Sequence, residues 1–241
     1  MDFKVQEIIN LAKKNSTNYI VGKRNSIKLL NFENKILSIK TFKIPGFFIG
    51  FIYRFFRTSK AKRSYLHAKK LQALNIGTPN PIGYLENKSN LQLLDSYYIC
   101  EHLEADFLFK DLFSLPIETT EPILKQFAQF CFNMHENGIE FLDHSPGNTL
   151  IKKINENIYE FYLVDLNRMK FHNTKMSISD RMKNICRITP GLVFVEIISK
   201  EYARIGNVPE KETFNLLFNH SEKFFKKYDK KKELKKIIKF D

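Results

Sequence analysis

Asp143-His144-Ser145-Pro146-Gly147-Asn148 is followed, 17 residues after the Asn, by Asp165, which ends the apolar run Phe161-Tyr162-Leu163-Val164. The setting of these three polar residues constrains the fold more than any other feature. Upstream, Pro122 to Asn137 carries Ile123, Phe127, Phe130 and Met134 at helical spacing. Thr119 and Thr120 suit the start of that helix and Gly138 its end. Downstream, Thr149-Leu150-Ile151 reads as a short strand, Asn155-Glu156-Asn157 as a turn, and Ile158 to Val164 as a returning strand. Asp143 and Asn148 therefore fall on a loop between a helix and a hairpin, and Asp165 falls at the hairpin's exit. The plainer reading is three turn residues that cap backbone groups.

The residue types favour chemistry over capping. A carboxylate can take the proton of an attacking hydroxyl, while an amide oxygen and a second carboxylate can hold Mg²⁺ against the phosphates of ATP. Mg²⁺ prefers such hard oxygen ligands. Asn25 to Phe32 and Lys35 to Phe42 read as two strands joined at Glu33-Asn34. Lys40 lies inside the second, in Ile36-Leu37-Ser38-Ile39-Lys40-Thr41-Phe42, where a lysine can reach nucleotide phosphates. Lys35 and Lys43 are the other candidates, and a solvent-facing strand lysine is the bland alternative.

Taken together, these residues resemble the protein-kinase-like superfamily and, within it, the lipopolysaccharide core kinases of the Kdo/WaaP group. The resemblance runs from about Tyr19 to Tyr202. It is carried by Ile39-Lys40-Thr41-Phe42-Lys43, the segment Tyr53 to Ser64, Gly77-Thr78-Pro79-Asn80-Pro81-Ile82-Gly83, Ser96-Tyr97-Tyr98-Ile99, Ser145-Pro146-Gly147-Asn148 and Val164-Asp165-Leu166-Asn167-Arg168. It implies an α+β, two-lobed protein-kinase-like fold with a small β-rich N-lobe and a mostly helical C-lobe. Residues 1–100 would form the nucleotide-binding lobe, and 101–241 the catalytic lobe with a basic C-terminal helix. It further implies Lys40 on ATP phosphates, Asp143 as catalytic base, and Asn148 and Asp165 as Mg²⁺ ligands. Glu101, His102 and Leu103 would be a hinge touching adenine, with backbone near Gly22 over the phosphates.

Three features depart from the protein-kinase pattern. Only Gly22 lies between Asn18 and Lys28, so no G-x-G-x-x-G is present. Phe141-Leu142 stand where protein kinases carry His-Arg. No Asp or Glu occurs from Asn34 to Leu85, the interval in which kinases place the helix glutamate that pairs with the strand lysine. The expected function is an ATP-dependent kinase acting on a sugar hydroxyl, Kdo foremost, of the lipopolysaccharide core or a lipid A precursor. A small-molecule kinase like those for aminoglycosides or choline and a catalytically impaired scaffold are the alternatives.

Composition narrows the partners. Net charge is +13, which draws anionic surfaces. Lys40, Lys43, Arg54, Arg57, Lys60, Lys62, Arg63, Lys69 and Lys70 share the acid-free interval; Lys226-Lys227, Lys230-Lys231-Lys232, Lys235-Lys236 and Lys239 form a second cluster. The expected partners are lipopolysaccharide core or lipid A precursor and an anionic inner-membrane surface. No nucleic-acid recognition motif occurs, and no nucleic acid is expected. Cys100, Cys131 and Cys186 are too scattered for a disulfide or zinc framework. No secretory signal is evident, and no apolar run reaches the ~18 residues of a spanning helix. The expected location is the cytoplasm, peripheral to the cytoplasmic face of the inner membrane.

Phe47 to Leu74 reads as helix in pieces. Its Phe47-Phe48, Phe51-Ile52 and Phe55-Phe56 pairs are expected mostly to pack into the core, with a membrane-docking face as the alternative. Ser179-Asp180 suits the cap of a helix bearing Arg181, Lys183, Asn184 and Arg187. That face is read either as solvated or as aimed at an acidic sugar or phosphate.

Overall fold

The structure, a computed structural model, describes residues 3–21, 25–43 and 46–237; side chains are described to residue 232. Gly22 and Lys239 lie outside the described residues. The chain divides into two compact units. One is Met1–Glu104 with Leu163–Arg168, the other Ala105–Tyr162 with Met169–Asp241.

The first unit is built on an antiparallel sheet of β1 (Thr17–Val21), β2 (Asn25–Phe32), β3 (Lys35–Lys43), β4 (Pro81–Lys88) and β5 (Leu93–Glu101), in the order β1-β2-β3-β5-β4. Glu33 and Asn34 join β2 to β3 with φ of 48° and 61°. Positive φ at both central residues is the geometry whose twist suits a two-residue hairpin. That turn sets the register, pairing Ile27 with Lys40 and Leu30 with Leu37.

Strand alternation then assigns the faces. Leu37, Ile39, Leu85, Tyr97 and Ile99 pack with Val5, Ile8, Ile9 and Ala12 of helix α1 (Phe3–Asn15). Lys40 has the opposite parity and points to the face covered by α3 (Lys60–Ala73). Ser59 caps α3 by accepting the Lys62 N–H at 3.1 Å, and Ala61, Ser64, Ala68 and Leu71 form its buried side.

Between them, α2 (Phe47–Phe55) rests on β5. The expectation that its aromatics mostly fill the core is overturned. Phe47, Phe48, Phe55 and Phe56 are exposed, and within the helix only Gly50 is buried. Gly50 is the reason, because the helix packs on β5 through its glycine side and turns its phenylalanines outward.

The second unit holds the short strands β6 (Phe107–Leu108), β8 (Thr149–Lys153) and β9 (Tyr159–Leu163) in one sheet, with β7 (Ile139–Phe141) and β10 (Met169–Phe171) paired in another. A 3-10 turn, Phe109–Ser114, precedes helices α4 (Ile117–Glu136), α5 (Ile178–Ile185), α6 (Leu192–Gly206) and α7 (Glu210–Ile237). Phe109, Phe127, Met182, Ile198, Tyr202 and Leu217 join these elements in one core.

Two boundaries differ from the sequence expectation. Helix α4 begins at Ile117, because the Thr119 and Thr120 N–H groups already bond the Pro116 carbonyl, and Pro122 sits within the helix. Pro122 leaves the Glu118 carbonyl without its helical donor, which costs little because Glu118 is exposed. Helix α5 is capped by Ser177, whose Oγ accepts the Asp180 N–H, so Ser179 and Asp180 lie in its first turn. At the end of α4, Gly138 has φ +67° and donates to the His135 carbonyl. A Cβ there would lie 2.5 Å from the His172 carbonyl oxygen, so both conformation and space demand glycine.

Candidate active site

In the first unit, Lys40 reaches across from β3 to the segment Leu163–Arg168. Its Nζ lies 2.7 Å from Asp165 Oδ1 and 5.3 Å from the centre of the Phe42 ring. Asn167 Nδ2 donates to the same Asp165 oxygen at 2.6 Å. Asp165 itself has φ +60°, a conformation that Asp tolerates better than most residues. The Leu163 N–H donates to the Gly77 carbonyl at 2.8 Å, and Thr78 Oγ1 donates to the Leu163 carbonyl at 2.9 Å. From α3, His67 Nδ1 sits 2.6 Å from the Leu166 carbonyl, and burial holds this imidazole below its ordinary pKa.

These contacts bear on the acid-free interval noted above. Where kinases set a helix glutamate against the strand lysine, this helix supplies His67, which grips the backbone beside Asp165. The lysine takes Asp165 as its carboxylate. Sequence reasoning missed His67, whose only signal was a lone imidazole in a basic helix.

At the end of β5, the Glu101 N–H bonds the Asn80 carbonyl at 2.8 Å, and the His102 N–H bonds the Ile36 carbonyl at 2.7 Å. The Glu101 carboxylate pairs with Lys35, so Lys35 is committed away from Lys40's position. His102 Nδ1 lies 3.0 Å from Ser38 Oγ. The Leu103 N–H makes no backbone hydrogen bond among the described residues, which leaves it open to an incoming acceptor.

In the second unit, Asp143 and Asn148 share the loop between β7 and β8. Asn148 Nδ2 donates to the Asp143 backbone carbonyl at 2.9 Å, so its amide oxygen is the group that could hold a cation. The Asn148 N–H closes a turn onto the Ser145 carbonyl at 2.9 Å. Helix α5 and the turn after it clamp the preceding residues. Asn184 Nδ2 donates to the Phe141 carbonyl at 2.9 Å, and Arg187 Nη1 donates to the Leu142 carbonyl at 3.1 Å. The same Arg187 nitrogen lies 3.6 Å from Asp143 Oδ1.

The face expected to carry Arg181, Lys183, Asn184 and Arg187 is therefore split. Arg181 is buried against Glu136 at 2.6 Å and donates to the Met176 carbonyl, and Asn184 is buried on the loop. Both are structural. Arg187 alone of the four stands beside Asp143. His144 turns inward, fully buried between the rings of Phe127 and Phe141, with neither ring nitrogen partnered.

The family model described as "Lipopolysaccharide kinase (Kdo/WaaP) family" matches residues 51–193. The chain belongs to this family. The match takes in Glu101–Leu103, Asp143, Asn148 and Asp165, while Lys40 precedes it. Membership implies kinase activity and hence ATP as phosphoryl donor, with lipopolysaccharide as the substrate class. Among solved structures, the chain is similar to one titled "WaaP in complex with acyl carrier protein", at 15% identity, a TM-score of 0.63 and 91% coverage of each chain. That likeness shows the α+β kinase fold, with its N-terminal antiparallel sheet and helical C-terminal part. No curated protein sequence matches the chain significantly. No described helix is long and apolar enough to cross a membrane.

Proposed function

We propose that this member of the family transfers the γ-phosphoryl group of ATP to a Kdo hydroxyl on the lipopolysaccharide core or a lipid A precursor, at the cytoplasmic face of an anionic inner membrane. The observation that carries this reading is the ion pair between Lys40 and Asp165, residues far apart in sequence, at 2.7 Å. It joins a cation suited to phosphate and a carboxylate suited to metal in one unit. In this reading Lys40 neutralises phosphate charge, and Asp143 orients and deprotonates the acceptor hydroxyl. Glu101, His102 and Leu103 meet adenine, the open Leu103 N–H serving as donor.

The donor chemistry fits Mg²⁺. Asp165 offers a carboxylate, and Asn148, whose amide nitrogen is engaged by the Asp143 carbonyl, offers its amide oxygen. Bound Mg²⁺ would supply charge neutralisation for the phosphates. Arg187, half-exposed beside Asp143, offers a counter-charge to an acidic sugar. Most of the acceleration then comes from positioning and charge stabilisation.

The test is transfer of label from γ-labelled ATP to Kdo–lipid A with Mg²⁺, with Asp143→Asn beside the wild type. The variant is expected to lose ~10²–10⁴ in turnover while keeping its ATP affinity. Equal turnover in the variant would remove Asp143 as base. ATP binding without transfer to any sugar acceptor would favour an impaired scaffold.

A further inference from the structure

Helix α2 presents its apolar residues on the wrong side for a core element. A Cβ on Gly50 would lie 2.9 Å from the Leu93 carbonyl oxygen and 3.1 Å from the Gln92 side chain, so this side is pressed against β5. Phe48 and Ile52 are each two residues from Gly50, and so about 200° round the helix. Phe55 returns to that same outer side. Phe48 is 74% exposed, Phe55 52% and Phe56 79%, and the Phe51 ring links the last two at 4.9 and 6.1 Å between ring centres. Exposure of several large aromatics together marks an interaction site rather than a normal soluble surface.

The charges around the patch identify its partner. Arg57, exposed just past the helix, lies over the Tyr53 ring at 5.4 Å, while Arg54, four residues from Gly50 and so on the glycine side of the helix, has its guanidinium 5.5 Å from the Phe55 ring centre. No carboxylate lies within ion-pair distance of Arg54, Arg57 or Arg63 among the described residues. The Nε atoms of Arg54 and Arg63 are buried without a hydrogen-bond acceptor. Burial and the nearby Arg57 charge hold Arg63 below its ordinary pKa, against an opposing hydrogen bond with Tyr53. An apolar helix face ending at an exposed arginine, in a segment free of acidic residues, complements an anionic lipid surface, where phosphates sit just above acyl chains.

We propose that α2 is an interfacial anchor, with Phe48, Ile52, Phe55 and Phe56 entering the headgroup–acyl boundary of an anionic bilayer while the exposed Arg57 binds lipid phosphate. This deepens the peripheral reading above and stands apart from the choice of acceptor. The helix is far too short to span, so it lies in the plane of the interface.

The experiment is co-sedimentation of the full chain with sucrose-loaded vesicles of phosphatidylethanolamine and phosphatidylglycerol, against vesicles of phosphatidylcholine alone. The wild type is expected to bind the anionic vesicles preferentially. Phe48→Ser with Phe55→Ser should weaken binding about 100-fold, from roughly tenfold per phenylalanine withdrawn from the apolar layer. Arg57→Gln should weaken binding to the anionic vesicles about fivefold while leaving binding to phosphatidylcholine unchanged. The chain contains no Trp. Phe48→Trp therefore gives a single-site reporter, expected to shift to the blue on anionic vesicles and to be quenched by brominated lipid.

Mg-ATP affinity and melting temperature, unchanged in the serine variant, show that the fold and the nucleotide site survive. Equal vesicle binding by the serine variant and the wild type would overturn the proposal, as would an unquenched Phe48→Trp. Equal binding of the wild type to neutral and anionic vesicles would overturn the headgroup half. A dimer in solution that dissociates in the serine variant, with no vesicle binding, would assign the face to a second copy of the chain.

Discussion

Two histidines make the second unit sensitive to acid. His135 and His144 are both fully buried, and burial pushes each imidazole down to about 3. His135 at least has company, bonding Tyr202 at 2.9 Å and Asn184 at 3.2 Å. His144 has only aromatic neighbours, with Phe127 and Phe141 ring centres at 5.7 and 5.5 Å. In the unfolded chain both titrate near 6.5, so below that pH the unfolded state binds protons that the folded state refuses. Stability is therefore full above about pH 6.5 and falls as the pH drops from there toward 3. Between pH 7.5 and pH 5 the loss is ~2 kcal/mol per histidine, ~4 kcal/mol for the pair.

His144→Leu removes one of the two and also an unpaired polar ring. Urea unfolding of the full chain across this range should show about half the wild-type acid loss in the variant. At pH 7.5 the variant should match the wild type or exceed it by ~1–2 kcal/mol, because the unsatisfied nitrogens are gone. Carboxylates elsewhere change the slope of both proteins equally and cancel in the difference. Parallel loss in the two proteins, within about 0.5 kcal/mol, would refute a buried neutral His144.

Three further outcomes follow from the site and its supports. His67→Ala cuts the tie from α3 to the Leu166 carbonyl, costing ~1 kcal/mol of stability. It should raise the Kd for Mg-ATP, and calorimetry showing unchanged affinity would deny His67 its positioning role. Asp165→Ala should abolish Mg²⁺-dependent nucleotide binding, and tight Mg-ATP binding in that variant would undo the metal assignment. Gly138→Ala forces a side chain into positive φ and against the His172 carbonyl, and should lower unfolding stability by ~1–3 kcal/mol or more. An unchanged melting temperature would contradict the close approach of these two backbones.

Much of the first unit was readable along the chain because its signals are local. The Glu33-Asn34 turn between two β-branched runs announces β2 and β3. The Thr78-Pro79-Asn80-Pro81 breaker separates α3 from β4. Helix α1 escaped because its apolar residues, Val5, Ile8, Ile9 and Ala12, are diluted by Lys and Asn, and the strands they pack on are distant in sequence. In the site, Asp143, Asn148, Asp165 and Lys40 stood out through residue type and spacing. His67 did not, and Asn184 and Arg187 were named only as one helix face, because each acts on a backbone carbonyl remote in sequence and no local pattern marks such a partner.

By itself the sequence determined which groups are present: the oxygen ligands, the strand lysine, the acid-free basic interval and the family these compose. Those are properties of residue identity and short-range order, which survive without any long-range contact. Tertiary structure decided how the groups are used. It gave Lys40 an aspartate in place of the absent helix glutamate and buried Arg181 and Asn184, which the sequence placed on a solvated or ligand-facing side. It also turned the phenylalanines of α2 outward, since a single buried glycine determines which side of that helix can approach the sheet. Amphipathic spacing reports that a helix has an apolar face; only packing determines whether that face is covered.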